Sequence, residues 1–254
     1  MKKIIRNVIR QCGFDLVKYP PATAAEPVDL RDLSAEEKRI IAAVQPYTLT
    51  SIERRAGLIH AVTHVIKNGL QGDIAECGVW RGGSMMTIAM TLLAHGDRSR
   101  HLYLYDTFEG MSEPTVDDRH LDGTSADELL ETSPRGAVIW CEASLEDVRE
   151  NVLSTGYPED KIHFIKGKVE ETIPQHLPGN LALLRLDTDW YESTKHELNH
   201  LYPLLRENGI LIIDDYGHWQ GARKAVDEYF STQSRPVYLH RIDYTGRALV
   251  KVGA

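Results

Sequence analysis

The amino-acid sequence predicts an α/β fold in which helices cover both faces of a doubly wound, mostly parallel sheet. From Gly69 onwards, short apolar runs typical of buried strands alternate with segments of helical periodicity. Near the C-terminal end, two strand-like runs follow each other with no helix between them, which predicts an antiparallel edge. The predicted strands span residues 73–79, 101–106, 161–167, 181–187, 209–216, 236–243 and 247–252.

Two predicted helices precede this alternation. Ser34 begins a capping box, SAEE, in which the serine hydroxyl and a glutamate three residues later satisfy free N–H groups at the start of a helix that ends at Val44. Ser51 begins a second helix that continues to about Lys67. Between the strands, helices are predicted over residues 84–95, 144–156, 193–205 and 219–230.

A linker rich in Pro and Ala, residues 19–35, separates the beginning of the chain from most of these elements. We therefore predict an N-terminal helical and linker extension over residues 1–45 and an α/β domain over residues 46–254. A polar stretch, residues 107–143, interrupts the alternation at the carboxyl end of the second strand, where α/β proteins bind ligands. A structureless insertion of this length is usually functional, so we expect a substrate lid here.

Composition restricts the classes of partner. The 254 residues suffice for one domain with a large core, and a net charge of −8 argues against a nucleic-acid partner, which needs a basic face. The three cysteines (Cys12, Cys77, Cys141) include no CxxC pair, so we expect a reduced, cytoplasmic location with neither disulfides nor a zinc site. No apolar run approaches the roughly 18 residues that a membrane helix needs.

Residues 1–18 have a basic amphipathic pattern. The apolar positions are Ile4, Ile5, Val8, Ile9 and Cys12, and the basic ones are Lys2, Lys3, Arg6 and Arg10. The basic residues interrupt the apolar core that a signal peptide would need. The pattern is typical of a helix that lies on an anionic membrane surface. The alternative is a helix packed on the domain or on a second subunit.

A glycine-rich turn, ECGVWRGGS (residues 76–84), follows the first strand and opens a helix. Glycines let the backbone approach a ligand closely, and a helix N-terminus favours a carboxylate, here the methionine tail of S-adenosylmethionine. The spacing, ExGxxxG, differs from the GxGxxG that binds a dinucleotide pyrophosphate. Asp106 ends the second strand, where an acidic side chain can accept hydrogen bonds from both ribose hydroxyls. The alternative is a glycine turn needed only for tight packing of the strand against the helix.

The predicted cofactor contacts are the residues Glu76, Gly78, Val79, Arg81, Gly82, Ser84, Asp106 and Lys168.

Four aspartates follow two neighbouring strands. Asp187 and Asp189 end the fourth strand, and Asp214 and Asp215 end the fifth. The carboxyl ends of neighbouring parallel strands meet at one rim of the sheet, so four carboxylates converge there, and this is costly unless a cation compensates them. Oxygen ligands suit Mg²⁺, with Ca²⁺ or Mn²⁺ as substitutes. We expect Asp187, Asp214 and Asp215 to be ligands; the alternative is one aspartate capping a helix while the others are solvated.

Methyl transfer from a sulfonium is an in-line displacement, and an alkoxide attacks far faster than an alcohol. A metal that binds the acceptor hydroxyl lowers its pKa, after which a nearby base removes the proton. We predict Asp189 as that base, beside the metal ligand Asp187, with His218 and His120 as alternatives. The alternative is that Asp189 is not the base and instead supports the metal ligands from behind.

Four motifs in order, ECGVWRGGS, YDTFEGM, LRLDTDWYEST and LIIDDY, resemble the macrocin O-methyltransferase family, which includes the mycinamicin and novobiocin sugar methyltransferases. The resemblance covers residues 47–229. It implies the class I methyltransferase fold, S-adenosylmethionine, magnesium, a sugar hydroxyl on a natural product or glycan as acceptor, and a homo-oligomer. By motif, it places the metal ligands on Asp187, Asp214 and Asp215, and cofactor contacts on Glu76, Gly78 and Asp106. A looser similarity to catechol O-methyltransferase puts Trp190 where that enzyme has a lysine base, which leaves the base open.

Two other functions compete with this interpretation. An NAD-dependent sugar oxidoreductase on a similar sheet needs a GxGxxG turn and usually a Tyr-xxx-Lys pair, and the sequence has neither. A non-catalytic scaffold of the same fold would show degraded motifs, whereas all the carboxylates are present. The sequence leaves the acceptor open among a macrolide glycoside, a nucleotide sugar and a membrane glycolipid.

Overall fold

The structure is a computed structural model that describes residues 29–253, and within them one sheet has the strand order β3-β2-β1-β4-β5-β7-β6. The strands are β1 Asp73–Cys77, β2 Leu102–Asp106, β3 Ile162–Lys166, β4 Leu181–Leu186, β5 Leu205–Ile213, β6 His240–Arg241 and β7 Arg247–Val250. The pairings among β1 to β5 are parallel, and β7 runs antiparallel to both β5 and β6. The predicted fold class, with its antiparallel C-terminal edge, is confirmed.

Helices cover both faces of the sheet. They are α1 Ala35–Val44, α2 Ile52–Lys67, α3 Gly83–Ala94, α4 Ala126–Thr132, α5 Leu145–Leu153, α6 Val169–Thr172, α7 Tyr191–His200 and α8 Gln220–Ser231. Successive strand residues point to opposite faces, so Ile74 packs in a core with α2, α3 and α5, whereas Ala75 packs in a core with α7 and α8. Between residues 29 and 253, no helix is long and apolar enough to cross a membrane.

The predicted helix starts at Ser34 and Ser51 are confirmed. The Ser34 hydroxyl accepts from the Glu37 N–H at 3.3 Å, and the Glu37 carboxylate accepts from the Ser34 N–H at 2.7 Å. The Ser51 hydroxyl accepts from the Arg54 N–H at 3.1 Å. The predicted helix over 193–205 ends earlier, at His200, because Pro203 cannot continue a helix, and Tyr202–Leu204 form a 3₁₀ turn instead.

The compact α/β unit begins at Leu33. The physical reason is that α1 buries Ile40, Ile41 and Val44, and Val44 belongs to the core on the α2–α3 face. The separate N-terminal unit is described only from residue 29, so the predicted amphipathic helix over residues 1–18 lies outside the described residues.

The stretch 107–143 is not structureless, which corrects that part of the prediction. It contains α4 and a 3₁₀ turn, Val138–Trp140. Ala126 and Leu130 of α4 join a third hydrophobic cluster with Trp190 and Trp219 from the main body of the domain. The stretch is therefore a packed element, because a few apolar residues within a polar sequence are enough to build a small core of their own. We keep its function as a lid over the acceptor as a prediction.

Candidate active site

A cavity of about 670 Å³ lies at the carboxyl ends of the parallel strands. It borders the junction of β1 with β4, where the strand order reverses and doubly wound sheets bind their ligands. The lining comes from the turns after β1 to β5, from the stretch 107–143, and from two segments outside the strand–helix alternation. The predicted site residues within the lining are Gly78, Val79, Ser84, Asp106, His120, Lys168, Asp187, Asp189, Asp214, Asp215 and His218.

Arg81 and Gly82 lie outside this lining, and their role as cofactor contacts stays a prediction. The Arg81 guanidinium donates to the Asp147 carboxylate of α5 at 2.8 and 2.9 Å. Gly82 adopts a left-handed conformation at the start of α3, and a Cβ there would meet Val152 of α5 at 2.8 Å. Both residues therefore serve the packing of the turn against α5, which was the alternative interpretation of the glycines.

Asp106 connects the end of β2 to the glycine-rich turn. Its carboxylate accepts from the N–H groups of Val79 at 2.7 Å, Trp80 at 3.2 Å and Phe108 at 2.7 Å. Burial raises the pKa of Asp106, although these backbone hydrogen bonds oppose the rise. The carboxylate thus shapes the turn and still faces the cavity, where its remaining lone pairs can accept from a ligand hydroxyl.

Glu76 lies outside the lining, fully buried under the turn. Its Oε1 accepts from Arg185, and its Oε2 has no hydrogen-bond partner among the residues that the structure describes. Burial raises the pKa of Glu76 to about 7, against the opposing charge of Arg185. Ser84, which lines the cavity at the start of α3, lies close enough to the Glu76 carboxylate to lower its pKa.

Asp187, Asp214 and Asp215 converge as predicted. Each presents a carboxylate oxygen, and these three oxygen atoms lie within 4.8 Å of one another. Such a donor set, with room for water or an acceptor oxygen, suits a hard divalent cation. Strand register explains the convergence, because β4 pairs with β5 from Leu184 opposite Leu211 through to the strand ends.

Two arginines accompany these carboxylates, and the sequence interpretation missed both. Arg185, buried on β4, donates to Asp187 at 2.7 Å and to Asp214 at 2.5 Å. Arg54 of α2 donates to the other oxygen of Asp214. Part of the negative charge is therefore compensated by the protein, which corrects the expectation that only a cation could do so. Arg185 was detectable, because it stands two positions before Asp187 and therefore on the same face of β4.

Asp189 lines the cavity beside the three converging aspartates. Its backbone is in the left-handed region, with φ of 67°, and its N–H donates to the Asp215 carboxylate at 3.3 Å. This conformation is costly for a residue other than glycine, and such costs concentrate at functional sites. Burial raises the pKa of Asp189 to about 7, and the charge of Asp187 adds to the rise.

His120 and His218 both face the cavity and pack edge to face, with ring centroids 4.8 Å apart. The Nδ1 of His120 lies 3.0 Å from the Asp122 carboxylate. Burial lowers the pKa of His218, and the neighbouring His120 adds to this effect. The structure therefore brings both alternative bases to the same cavity as Asp189.

Segments without a recognisable motif also line the cavity. Residues 47–50, between α1 and α2, form part of the wall together with Arg54, and Tyr244 and Thr245 contribute from the hairpin between β6 and β7. Leu49 and Tyr244 are largely exposed at 52% and 59%, so the wall includes apolar surface that is open to solvent. No periodicity or spacing in these segments indicated a binding function.

The family model described as macrocin-O-methyltransferase (TylF) matches residues 17–251 of the chain. A tetracenomycin rhamnosyl 4'-O-methyltransferase from Streptomyces olivaceus is 34% identical over 97% of this chain and 88% of its own length. The mycinamicin III 3''-O-methyltransferase of Micromonospora griseorubida is 33% identical, over 90% of this chain and 85% of that protein.

Solved structures agree with the sequence comparisons. The O-methyltransferase NovP superposes with a TM-score of 0.71 at 32% identity, covering 82% of this chain and 83% of NovP. The S-adenosylhomocysteine-bound methyltransferase PaMTH1 of Podospora anserina, at 13% identity and a TM-score of 0.53, shares the fold over 94% of this chain and all of that chain. The chain therefore belongs to the macrocin O-methyltransferase family of S-adenosylmethionine-dependent methyltransferases.

Proposed function

We propose that this chain moves a methyl group from S-adenosylmethionine to a sugar hydroxyl on a natural product or glycan, and that it uses a divalent cation held by Asp187, Asp214 and Asp215. The observation that carries the proposal is the convergence of these three carboxylates beside the glycine-rich turn, in one cavity. The printed names of two relatives, a rhamnosyl-tetracenomycin and a mycinamicin O-methyltransferase, support a sugar on a natural product as the acceptor.

The cofactor part of the proposal rests on two acceptor groups. Asp106 faces the cavity at the end of β2 and suits ribose hydroxyls. The unpartnered Oε2 of Glu76, near the start of α3, suits the ammonium group of the methionine part. Gly78 and Val79 line the same cavity as Asp106, and Lys168 lines it next to β3.

When bound, the cation would lower the pKa of an acceptor hydroxyl, and S-adenosylmethionine would supply the methyl group. The chain's own task is to hold the acceptor oxygen in line with the methyl group and to accept its proton. We assign the proton to Asp189, because it lines the cavity and interacts with both Asp187 and Asp215. His120 and His218 are the alternatives that the geometry also allows.

Three finer points belong to the same proposal. The acceptor's identity is open among a macrolide glycoside, a nucleotide sugar and a membrane glycolipid. We expect a homo-oligomer, as the family resemblance implies. Contact of residues 1–18 with a membrane surface is proposed from their sequence pattern alone.

The test is turnover of S-adenosylmethionine with a panel of glycosylated acceptors, before and after chelation. EDTA should abolish methyl transfer and added Mg²⁺ should restore it. Asp214→Asn and Asp215→Asn should each lose most of the activity and keep S-adenosylhomocysteine binding by calorimetry, because they alter the cation site and not the cofactor site. The exposed Asp160→Asn, an equal change of charge, is the matched control and should behave as wild type.

Full activity in metal-free buffer would contradict the cation's involvement. Cofactor and metal binding without turnover on any acceptor would favour the non-catalytic scaffold instead.

A further inference from the structure

Arg54 reaches the ligand cluster from outside the strand–helix alternation. It belongs to α2, its side chain lines the cavity, and only 14% of that side chain is exposed. Its guanidinium donates to Oδ2 of Asp214, and its Nε lies 2.9 Å from Oδ2 of Asp243 in the hairpin between β6 and β7. A cationic side chain therefore occupies the position next to a proposed metal ligand.

Asp214 differs from the other two proposed ligands in its contacts. Its Oδ1 accepts from Arg185 at 2.5 Å and its Oδ2 accepts from Arg54, so both oxygens are engaged by guanidinium groups. Asp187 gives one oxygen to Arg185. A cation that binds Asp214 meets a guanidinium group at either oxygen, Arg185 at Oδ1 or Arg54 at Oδ2. Two positive charges at that distance repel each other strongly in a partly buried site.

Arg54 also has a second partner ready. The Asp243 carboxylate is held by the N–H groups of Thr245 at 2.9 Å and Gly246 at 2.7 Å, and by the Ser51 hydroxyl at 2.8 Å. Among the described residues, the buried Nε of Arg54 has no well-aligned hydrogen-bond acceptor, although it lies close to Asp243. Arg54 can therefore leave Asp214 and complete its bonds to Asp243 without becoming an unpaired buried charge.

The space around Arg54 is shaped for this side chain. A Cβ at Gly246 would lie 3.1 Å from the Cδ of Arg54, so the glycine leaves room for the aliphatic part of the arginine. The Ser51 hydroxyl accepts from the N–H of Arg54 and donates to Asp243, which connects the start of α2 to the same hairpin. The contact is thus part of the packing between α2 and the hairpin, and it places a charge at the ligand cluster.

We propose that Arg54 is a positioning residue that competes with the divalent cation for Asp214, with Asp243 as its alternative partner. The inference rests on the cation site of the proposed function. The proposal predicts that loss of Arg54 increases the affinity for the metal. Loss of a residue that merely supports the fold of the site should decrease it.

The experiment is a titration of the full-length protein with Mn²⁺, followed by electron paramagnetic resonance, which needs no acceptor. Arg54→Met keeps the apolar length of the side chain and removes its charge. We expect it to bind Mn²⁺ about tenfold more tightly than wild type, because the competing charge is gone. Arg223→Met, at an arginine 54% exposed on α8, removes an equal charge from the surface and should leave the affinity unchanged.

We expect Asp243→Asn to have the opposite effect on the affinity for Mn²⁺. Without its alternative partner, Arg54 should stay on Asp214, and Mn²⁺ should bind more weakly than in wild type. The double variant, Arg54→Met with Asp243→Asn, should regain the tight binding of Arg54→Met. A double variant as weak as Asp243→Asn alone would show that the hairpin acts through the fold, and would overturn the competition.

The remaining outcomes separate this inference from the proposed function. If wild type and Arg54→Met bind Mn²⁺ equally, or if Arg54→Met binds it more weakly, the competition is wrong and the cation site stands. If Arg223→Met tightens binding as much as Arg54→Met, the effect is one of overall charge and the competition is again wrong. If no variant binds Mn²⁺, the cation site of the proposed function fails, and the competition with it.

Discussion

At the scale of single residues, Asp106 combines two tasks that are usually separate. Its carboxylate accepts three backbone N–H groups, two of them from the glycine-rich turn, and it also faces the cavity. An aspartate at the end of β2 was predicted from strand position to bind a ribose. The hydrogen bonds to the turn could not be predicted, because they depend on how the chain doubles back after β1.

Asp106→Ala should weaken S-adenosylhomocysteine binding by about 1.5–3 kcal/mol, because charge-assisted hydrogen bonds to a ligand are lost. It should also lower thermal stability, because Val79 and Phe108 lose their acceptor. Calorimetry measures the first effect and thermal unfolding the second. Asp97→Ala is the matched control: Asp97 also accepts a backbone N–H, from Ser99 at 2.9 Å, and lies outside the cavity lining. It should lose stability and keep cofactor affinity; unchanged affinity in Asp106→Ala would remove Asp106 from the ribose site.

The proposed metal ligands and the two arginines beside them show the limit of prediction from sequence for single residues. Asp187 and Asp214 were predictable, because a residue at the carboxyl end of a strand has a known place once the strand order is known. Arg54 was not, because its position depends on the packing of α2 against the hairpin near Gly246, two segments almost two hundred residues apart in sequence. Long-range packing of this kind leaves no local pattern.

At the scale of elements, Asp118 joins the stretch 107–143 to α7, the helix that follows the turn after β4. Asp118 is fully buried; its Oδ1 accepts from the N–H of Tyr191 at 2.7 Å, at the start of α7, and its Oδ2 accepts from Thr115. The carboxylate thus caps α7 from outside the helix and compensates the positive end of the helix dipole. Trp190 reinforces the junction by donating from its indole N–H to the Ser112 carbonyl at 3.0 Å.

Asp118→Asn should destabilise the protein by about 1–3 kcal/mol, because an amide cannot accept all the hydrogen bonds that the carboxylate accepts. Gly221→Ala should have a similar effect although it removes no polar group, since a Cβ there would lie 2.0 Å from the Asp118 carboxylate. Urea unfolding gives the stability, and limited trypsin digestion at the exposed Arg135 reports on the stretch itself.

The neighbouring Asp117→Asn is the control for this pair. Its carboxylate makes an ion pair with Lys224 at 2.9 Å at the surface, so its loss should change stability by less than about 1 kcal/mol. Wild-type stability and proteolysis in both Asp118→Asn and Gly221→Ala would show that Asp118 does not hold the stretch in place.

Helices whose starts depend on local capping could be predicted from sequence, whereas a helix held by distant residues could not. The helices that begin at Ser34 and Ser51 follow from local capping chemistry, which depends on a few neighbouring residues. The short helix α4 was missed, because only Ala126 and Leu130 of its seven residues are buried and a polar sequence of this kind also fits a loop. Its stability comes from Trp190 and Trp219 in other parts of the chain.

At the scale of the whole molecule, charge is unevenly distributed along the sequence. The chain carries a net charge of −8, yet its first ten residues include four basic and no acidic side chains. Each basic residue near an anionic membrane surface contributes about 1 kcal/mol of binding, and the attraction decreases with salt. Four such residues with a short apolar face predict reversible membrane association, not permanent anchoring.

Flotation with anionic vesicles tests this prediction. The full-length protein should rise with the vesicles at low salt and be released at high salt, and deletion of residues 1–18 should abolish binding while the oligomeric state stays the same. A variant with Lys2, Lys3, Arg6 and Arg10 changed to Gln keeps the apolar face and should also lose binding, because the attraction is electrostatic.

If the full-length protein does not bind the vesicles and the truncated protein dissociates in sedimentation experiments, the apolar face instead packs against a second subunit. Added salt would then matter little, and a membrane-borne acceptor would lose its main support.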